Sequence, residues 1–448
     1  MNERPLVVDL FAGAGGLSLG FEQAGFDVAA AVEVDPIHAA VHKFNFPACA
    51  VLARSVVGLS GQDIRAAAGI GDREVTAVIG GAPCQGFSLI GQRALDDPRN
   101  SLVREFVRIV RELQPRFFLF ENVKGLTLGP HRQFLEELLD EFATAKYTVR
   151  LPWRVLNAAD FDVPQHRERL FLIGSRTDCE LPEYPMETTY AANKNAVLGR
   201  VQGPTTRDAL DDLPNADMFD ELLEFGEVRT TAFSEPSTYA RVLRSAAASD
   251  WFFAHRRAWS SSLLTNSVRT AHSEISQLRF RDTVPGSVEP ISRFLRLDPN
   301  GVSNTLRAGS DAARGAFTSP RPIHYRYNRC ITVREMARLH GFPDWFRFHS
   351  TKWHGAREIG NAVAPPVARR LAEQMAAAMG YMPTRATAIV SLGDEELLRQ
   401  DLGSAAAFWG VPLVSGKRDT RSPFRKRSQA ETEVARLASG ERRVGNGR

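Results

Sequence analysis

Cysteine is scarce: Cys49, Cys84, Cys179 and Cys330 are the only four in 448 residues, and they lie far apart. That spacing gives neither a disulfide framework nor a CxxC metal pair, so the chain is expected to work in a reducing cytoplasm without a structural metal. Long apolar runs are also lacking. None approaches the ~20 residues that a membrane helix needs, so no membrane partner is expected. The opening MNERPLVVDLFAG has no basic segment, and Asp9 interrupts its apolar run, so it reads as a first strand and not as a secretory leader. Surplus charge is small as well: a formal +4 is too little to prove a nucleic-acid partner. No internal repeat is visible. What remains is an ordinary folded chain, 43% hydrophobic and 24% charged. Its length suits two domains, or one large domain with an insertion.

Residues 5–10 form a short apolar run, and FAGAGGLSLGFEQAGF follows at once. Glycines 13, 15 and 16 make a tight turn, and residues 17–24 have helical composition. Strand, glycine turn and helix together open a doubly wound α/β sheet that binds a nucleotide. Residues 28–33 should be the second strand, and Glu33 stands about 20 residues after the turn, where such folds hold ribose hydroxyls. The spacing G-A-G-G departs from G-x-G-x-x-G and points away from a nicotinamide cofactor. Helices are expected over 36–44 and 62–68, with a third strand over 51–57.

The stretch AVIGGAPCQGFS, residues 77–88, begins as a buried strand and ends in Gly-Gly-Ala-Pro-Cys. A turn held by glycine and proline is a firm mount for a nucleophilic thiol, although a buried structural cysteine fits the same pattern. A polar loop over 91–99 has the composition of a lid, and 101–113 has helical spacing. RFFLFENV, residues 116–123, is an apolar strand that delivers Glu121 to its end. A carboxylate there is costly unless paired or protonated, which suits a general acid; a cap on the following turn is the other reading. After a helix over 131–142, residues 153–156 and 170–173 read as paired strands around FDVPQHRERLF. There Gln165, Arg167 and Arg169 alternate and should face one side, either as an anion- or base-binding set or as a solvated basic strand.

From about 178 to 316 the periodicity dissolves, which reads as a second domain inserted into the first. Trp251, Phe252, Phe253 and Trp259 sit among His255, Arg256, Arg257 and Arg269, a mixture that suits nucleic acid and a small irregular core equally. Residues 331–340 form a clear helix with Thr332 as cap. In REIGNAVAPP a Gly-Asn turn leads to a helix over 367–379. Two short helices are expected over 387–411. Residues 417–448 carry ten Lys/Arg against four Asp/Glu, a loosely ordered basic tail.

In this order DLFAGAGG, VEVD, GGAPCQGFS, FENVKG, VPQHRERLFLIG, ITVREMARLHGFPDWF and REIGNAVAPP resemble the DNA (cytosine-5) methyltransferases, over roughly residues 5–175 and 295–380. The resemblance implies a class I methyltransferase sheet with an inserted small target-recognition domain. The division would be a catalytic domain over 1–185, a small domain over 186–350, a helix completing the catalytic domain over 351–382, and an extension over 383–448. It also implies transfer of a methyl group from S-adenosylmethionine to C5 of a flipped-out cytosine in a specific double-stranded DNA sequence, through a Cys84–C6 adduct. Glu121 would hold cytosine N3, with Arg167 and Arg169 beside it. Phe11, Gly13, Leu17, Glu33, Pro83, Leu102, Asn361 and Val363 fall where the family contacts the methyl donor. The acid that the family places near the adenine is out of pattern: one alignment puts Ser55 there, the other Asp63. A restriction-modification or defence setting follows, with a cognate endonuclease as partner, a monomer, and a cytoplasmic enzyme held near the nucleoid by DNA. A transfer-RNA methyltransferase is the nearest rival, and the roughly 120 residues between LFLIG and RFLRLDPNG argue against it. A catalytically silent DNA-binding protein and a nicotinamide oxidoreductase are the others.

Overall fold

The computed structural model describes residues 3–83, 101–127, 131–310 and 318–412. Cys84, the polar loop over 91–99 and the basic tail lie outside the described residues.

Among the described residues, eight strands form the central sheet. β1 (Leu6–Leu10) lies between β2 (Asp27–Val32) and β4 (Val75–Gly80), parallel to both; β3 (Ala50–Leu52) continues beyond β2, and β5 (Phe117–Val123) beyond β4. β8 (Glu168–Arg176) runs antiparallel to β5. β6 (Tyr147–Val149) and β7 (Arg154–Asn157) pair with successive parts of the far edge of β8. The chain winds outward in both directions from β1 and β4, so the crevice at their carboxyl ends is where this topology receives a ligand. All five residues of β1 are buried, as a strand covered on both faces must be.

Helices cover the two faces: α1 (Gly16–Gln23), α2 (Pro36–Asn45), α3 (Gly61–Ala68), α4 (Ser101–Leu113) and α5 (His131–Thr144). On one face α4 and α5 bury Phe106 and Phe142 against Phe118 and Phe120, with the Phe118 and Phe142 rings stacked at 3.9 Å. β3 is shorter than the expected 51–57, because the Arg54 N–H turns back to the Leu52 carbonyl and leaves the sheet.

The segment after β8 has little regular structure: β9 (Thr189–Tyr190), β10 (Val201–Gln202), α6 (Thr206–Leu210), β11 (Val228–Arg229), α7 (Thr238–Leu243), β12 (Arg256–Ala258), β13 (Leu263–Leu264) and α8 (Glu274–Asp282). Buried arginines organise it. They come from α9 (Val333–His340), which Thr332 and Glu335 cap reciprocally, as the sequence predicted for Thr332. Arg338 donates to Asp344 at 2.6 Å and to Asp212 at 3.0 Å. Arg334 donates to the Thr265 hydroxyl and the Phe346 carbonyl. The mixed aromatic and basic stretch resolves mostly into packing. Trp251 stacks on Trp345, Arg257 makes a buried ion pair with Glu22 of α1 at 2.8 Å, and His255 and Arg269 meet Asp27 and Asp220.

Two helices follow, α10 (Lys352–Asn361) and α11 (Pro365–Ala378). α10 is a departure from expectation: Gly360 and Asn361 are its last residues, not a free turn. α11 begins at Pro365, a position where a missing N–H costs nothing. It lies on α1 so closely that a Cβ on Gly16 or Gly20 would strike the Val363 carbonyl or Ala368. Finally β14 (Ile389–Ser391) pairs with β12, and Trp409 of α12 (Leu402–Trp409) donates to the Pro36 carbonyl at 3.0 Å. Residues beyond 382 thus tie the inserted segment to α2. No described helix is long and apolar enough to cross a membrane.

Candidate active site

The crevice has two halves. On the first, β1 ends at Leu10, and the chain passes through left-handed backbone at Phe11 (φ 59°), Gly13 (φ 53°) and Gly15 (φ 104°) before α1 starts. Glu33 stands just past β2, and its carboxylate accepts from the Gly13 and Asp35 N–H groups, both at 2.8 Å. Burial raises its pKa, against the pull of His38 and those N–H groups. A Cβ on Gly13 would meet no described residue within 4 Å, so among the described residues the space over the turn is open. A carboxylate beside an open glycine turn fits a ribose, the chemistry expected of a nucleoside donor. Phe11 and Leu102 pack on one core cluster, and Leu17 and Val363 belong to another. Pro83 and Asn361 are exposed. Asp63 is the third residue of α3, and its carboxylate accepts from the Ser60 N–H at 2.9 Å and hydroxyl at 2.7 Å as a helix cap. Ser55 follows β3 and accepts from the Val57 N–H at 3.1 Å.

The second half is built on β5 and β8. Glu121 faces Phe171 in the register, so Arg169, two residues earlier on β8, is its diagonal neighbour. Arg169 Nε lies 3.0 Å from Glu121 Oε1. Burial raises the Glu121 pKa, opposed by the charges of Arg169 and Arg167. The segment that leads to Pro83 and Cys84 passes beside this pair at Gly81. Its root is fixed by Asn122 Nδ2, which donates to the Ala82 carbonyl at 3.0 Å. A Cβ on Gly81 would press into Glu121 Oε2 closer than any real Cβ sits. The contacts of Gly81 with Glu121 and of Asn122 with Ala82 were not foreseen from the sequence, although the doubled glycine before Ala-Pro-Cys and the Asn after Glu121 are their signals.

Arg167 is placed differently. It precedes β8, is 2% exposed, and donates to the carbonyls of Leu306 (3.2 Å), Gly360 (2.9 Å) and Ala362 (2.8 Å). Gln165 is wholly buried; it donates to the Leu339 carbonyl and accepts from the Leu306 N–H. The structure therefore brings Glu121 and Arg169 together, and spends the hydrogen bonds of Arg167 on backbone carbonyls and those of Gln165 on backbone and His340. A carboxyl pushed toward its neutral form beside a guanidinium offers both a proton donor and a cation to the heteroatom edge of a planar base.

Comparisons with known proteins give this geometry a family. Residues 6–377 match the model of the C-5 cytosine-specific DNA methylases. The chain is 53% identical over 408 residues to the type II methyltransferase M.XorII of Xanthomonas oryzae pv. oryzae, covering 91% of this chain and 93% of that one. It is 34% identical over 381 residues to M1.HphI of Haemophilus parahaemolyticus, covering 82% and 85%. Among solved structures, a putative DNA modification methyltransferase encoded within an Escherichia coli prophage superposes with a TM-score of 0.65 at 32% identity, over 84% of this chain and 99% of that one. The Dnmt2 methyltransferase of S. pombe, at 16% identity and a TM-score of 0.50, shares the fold, with coverage of 84% and 100%. A doubly wound sheet of this kind is that of a DNA (cytosine-5) methyltransferase of type II, and the chain belongs to the C-5 cytosine-specific DNA methylase family.

Proposed function

We propose that the chain methylates a cytosine flipped out of double-stranded DNA by way of a covalent bond between Cys84 and C6 of the base. The observation that carries this is the Glu121–Arg169 pair set against Gly81, at the root of the segment that bears Cys84. Cytosine C5 is a poor nucleophile. Addition of the Cys84 thiolate at C6 moves an electron pair toward N3, where neutral Glu121 gives a proton or a short hydrogen bond. Arg169 stabilises the charge that reaches O2. C5 is then enamine-like and takes a methyl group; loss of the C5 proton and expulsion of the thiolate restore the ring. S-adenosylmethionine supplies that methyl group as a sulfonium, and Phe11, Gly13, Leu17, Glu33, Pro83, Leu102, Asn361 and Val363 would hold it. Ser55 suits the adenine end better than Asp63, because the Asp63 carboxylate is committed to its helix cap. The base is out of reach inside a duplex, so flipping precedes chemistry at a cost of a few kcal/mol.

DNA carrying 5-fluorocytosine at the target tests the mechanism. Fluorine cannot leave as a proton does, so the enzyme should stay attached after methyl transfer and survive denaturing electrophoresis. Cys84→Ala should abolish the adduct; an adduct that persists in that variant places the nucleophile elsewhere.

The proposal extends to the target sequence. The match to M.XorII leaves about 40 of the 448 residues unaligned, so most of the 186–350 segment lies within that alignment. That segment is the proposed small domain that reads the DNA, and the two enzymes should modify the same site. DNA saturated by this enzyme should accept no further methyl groups from M.XorII; substantial incorporation would separate the specificities. A cognate endonuclease, a monomeric state and a cytoplasmic place near the nucleoid belong to the same reading.

A further inference from the structure

We propose that Arg167 is a positioning residue for the methyl-donor half of the site, and that with His340 it clasps the junction of α10 and α11 to the strand that carries Arg169. The inference rests on the reading above of which residues meet base and donor. Its motive is where the donors of Arg167 go. Gly360 and Ala362 stand at the C-terminal end of α10, where carbonyls lack intrahelical partners and carry partial negative charge. Arg167 Nη2 reaches both of these carbonyls, at 2.9 and 2.8 Å. His340 Nε2 meets the same Ala362 carbonyl at 3.1 Å, and its Nδ1 lies 2.9 Å from Gln165 Nε2. Burial and the charges of Arg167 and Arg169 hold His340 well below the usual histidine range, so the ring is neutral. Gln165 Nε2 can only donate, so Nδ1 accepts and Nε2–H donates to Ala362. Gln165 closes the ring of contacts by accepting from the Leu306 N–H, while the Leu306 carbonyl accepts from Arg167.

Ala362 lies between Asn361 and Val363, the two late positions assigned to the donor, and the Val363 carbonyl faces Gly16 of α1. Two segments far apart in sequence, residues 165–167 and the end of α9, thus fix one short connection, and Leu306 in turn bonds Gln165 and Arg167. Moving the Ala362 carbonyl would move both donor contacts and loosen the close approach of α11 to α1. Arg169, two residues later and inside β8, has no bond to that junction and reaches Glu121 instead. The base contact and the donor support are therefore divided between two arginines of one short motif.

Two readouts on the full-length chain separate these roles. One is calorimetric affinity for S-adenosylhomocysteine without DNA. The other is release of tritium from C5 of [5-³H]cytosine in target DNA without methyl donor, which reports reversible thiolate addition at the base alone. Arg167→Lys keeps the charge but loses the fork, and should weaken S-adenosylhomocysteine by about 10-fold or more, while tritium exchange changes by less than about 3-fold. His340→Gln, a milder change should Arg167→Lys not fold, should act in the same direction. Arg169→Lys should do the reverse. If Arg167→Lys lowers exchange and leaves cofactor affinity intact, Arg167 touches the base and the proposal fails. If both readouts fall together in both variants, the clasp is merely structural and the proposal also fails. A wild-type chain that neither exchanges nor methylates would instead refute the functional reading, while the affinity data would still judge the clasp.

Discussion

Gly80 and Gly81 are adjacent, and alanine at either adds the same single methyl group, yet the two substitutions should fail in opposite ways. A Cβ on Gly80 would run into the carbonyl oxygen and carbon of Leu10 in β1. That carbonyl belongs to a strand buried on both faces and paired on both edges, so it cannot give way. Forced overpacking of this kind costs about 1–3 kcal/mol. A few degrees of Tm is the expected loss in a chain of this size. A Cβ on Gly81 meets instead Oε2 of Glu121, the far end of a side chain, with its next neighbour at 3.6 Å. The carboxylate can swing away, so the fold should hold. Relief from unfolded-state entropy even offsets part of the strain, by roughly 0.4–1 kcal/mol.

The cost of Gly81→Ala therefore falls on chemistry. To reach ordinary contact the carboxylate must move by about 1 Å, away from the position in which Arg169 holds it, and a misplacement of that size costs on the order of 10²-fold. Complete loss of acid assistance sets the upper bound at about 10⁴-fold. Thermal denaturation and kcat on a DNA substrate measure the two effects side by side. Gly81→Ala with wild-type kcat would show that the Glu121 carboxyl is not needed where the structure puts it. Gly80→Ala with an unchanged Tm would refute the packing argument.

Two predictions concern pH. Asp9 is fully buried, bonded by the Ser18 hydroxyl at 2.7 Å, and burial pushes its pKa up to about 7 from 3.8. The folded state then holds more protons than the unfolded one across that window, so this group makes stability fall as pH rises, by a few kcal/mol in all. Asp9→Asn should flatten the curve of Tm against pH between 4 and 7 relative to the wild type; parallel curves would refute it. Glu121 must be neutral to donate, so kcat/KM should fall as pH rises through its pKa, which burial raises and Arg169 and Arg167 lower. Arg169→Gln removes the larger opposing charge and should move this alkaline limb to higher pH while lowering the rate; an unmoved limb would dissociate the two groups.

The parts of the fold that were legible share one property: their physics is local. A glycine turn after an apolar strand, an acid at the next strand end and a Thr before a helical run each announce themselves within a few residues. All three stand where the sequence put them, at Gly13–Gly16, Glu33 and Thr332. α10 was illegible for the matching reason. Its buried positions are Gly355, Ala356, Glu358, Ile359 and Gly360, so no apolar stripe marks its face. Glycine serves there because a Cβ on Gly360 would collide with the backbone of Arg307 and Ala308, a contact that spacing along the chain cannot reveal. Only Thr351, whose side chain accepts from the His354 N–H, marks where the helix begins.

The same distinction explains Arg167 and Arg169. Alternation puts residues i and i+2 on one face only within a single strand. β8 begins at Glu168, so Arg169 obeys the alternation and meets Glu121, whereas Arg167 lies on the approach to the strand. Its direction is set by carbonyls that the chain supplies at Leu306, Gly360 and Ala362, all more than 130 residues away. The mixed aromatic and basic stretch left two readings open for the same reason. Arg257 suited nucleic acid and a small core equally, and the structure buries it on Glu22, as it buries Arg334 and Arg338 of α9 on their own acceptors. A buried guanidinium left without its partners is strongly destabilising, so these contacts tolerate little rearrangement between α9, α1 and the inserted segment. Bases must then be read by the side chains this framework leaves exposed, and neither charge nor aromatic content along the chain distinguishes the two sets.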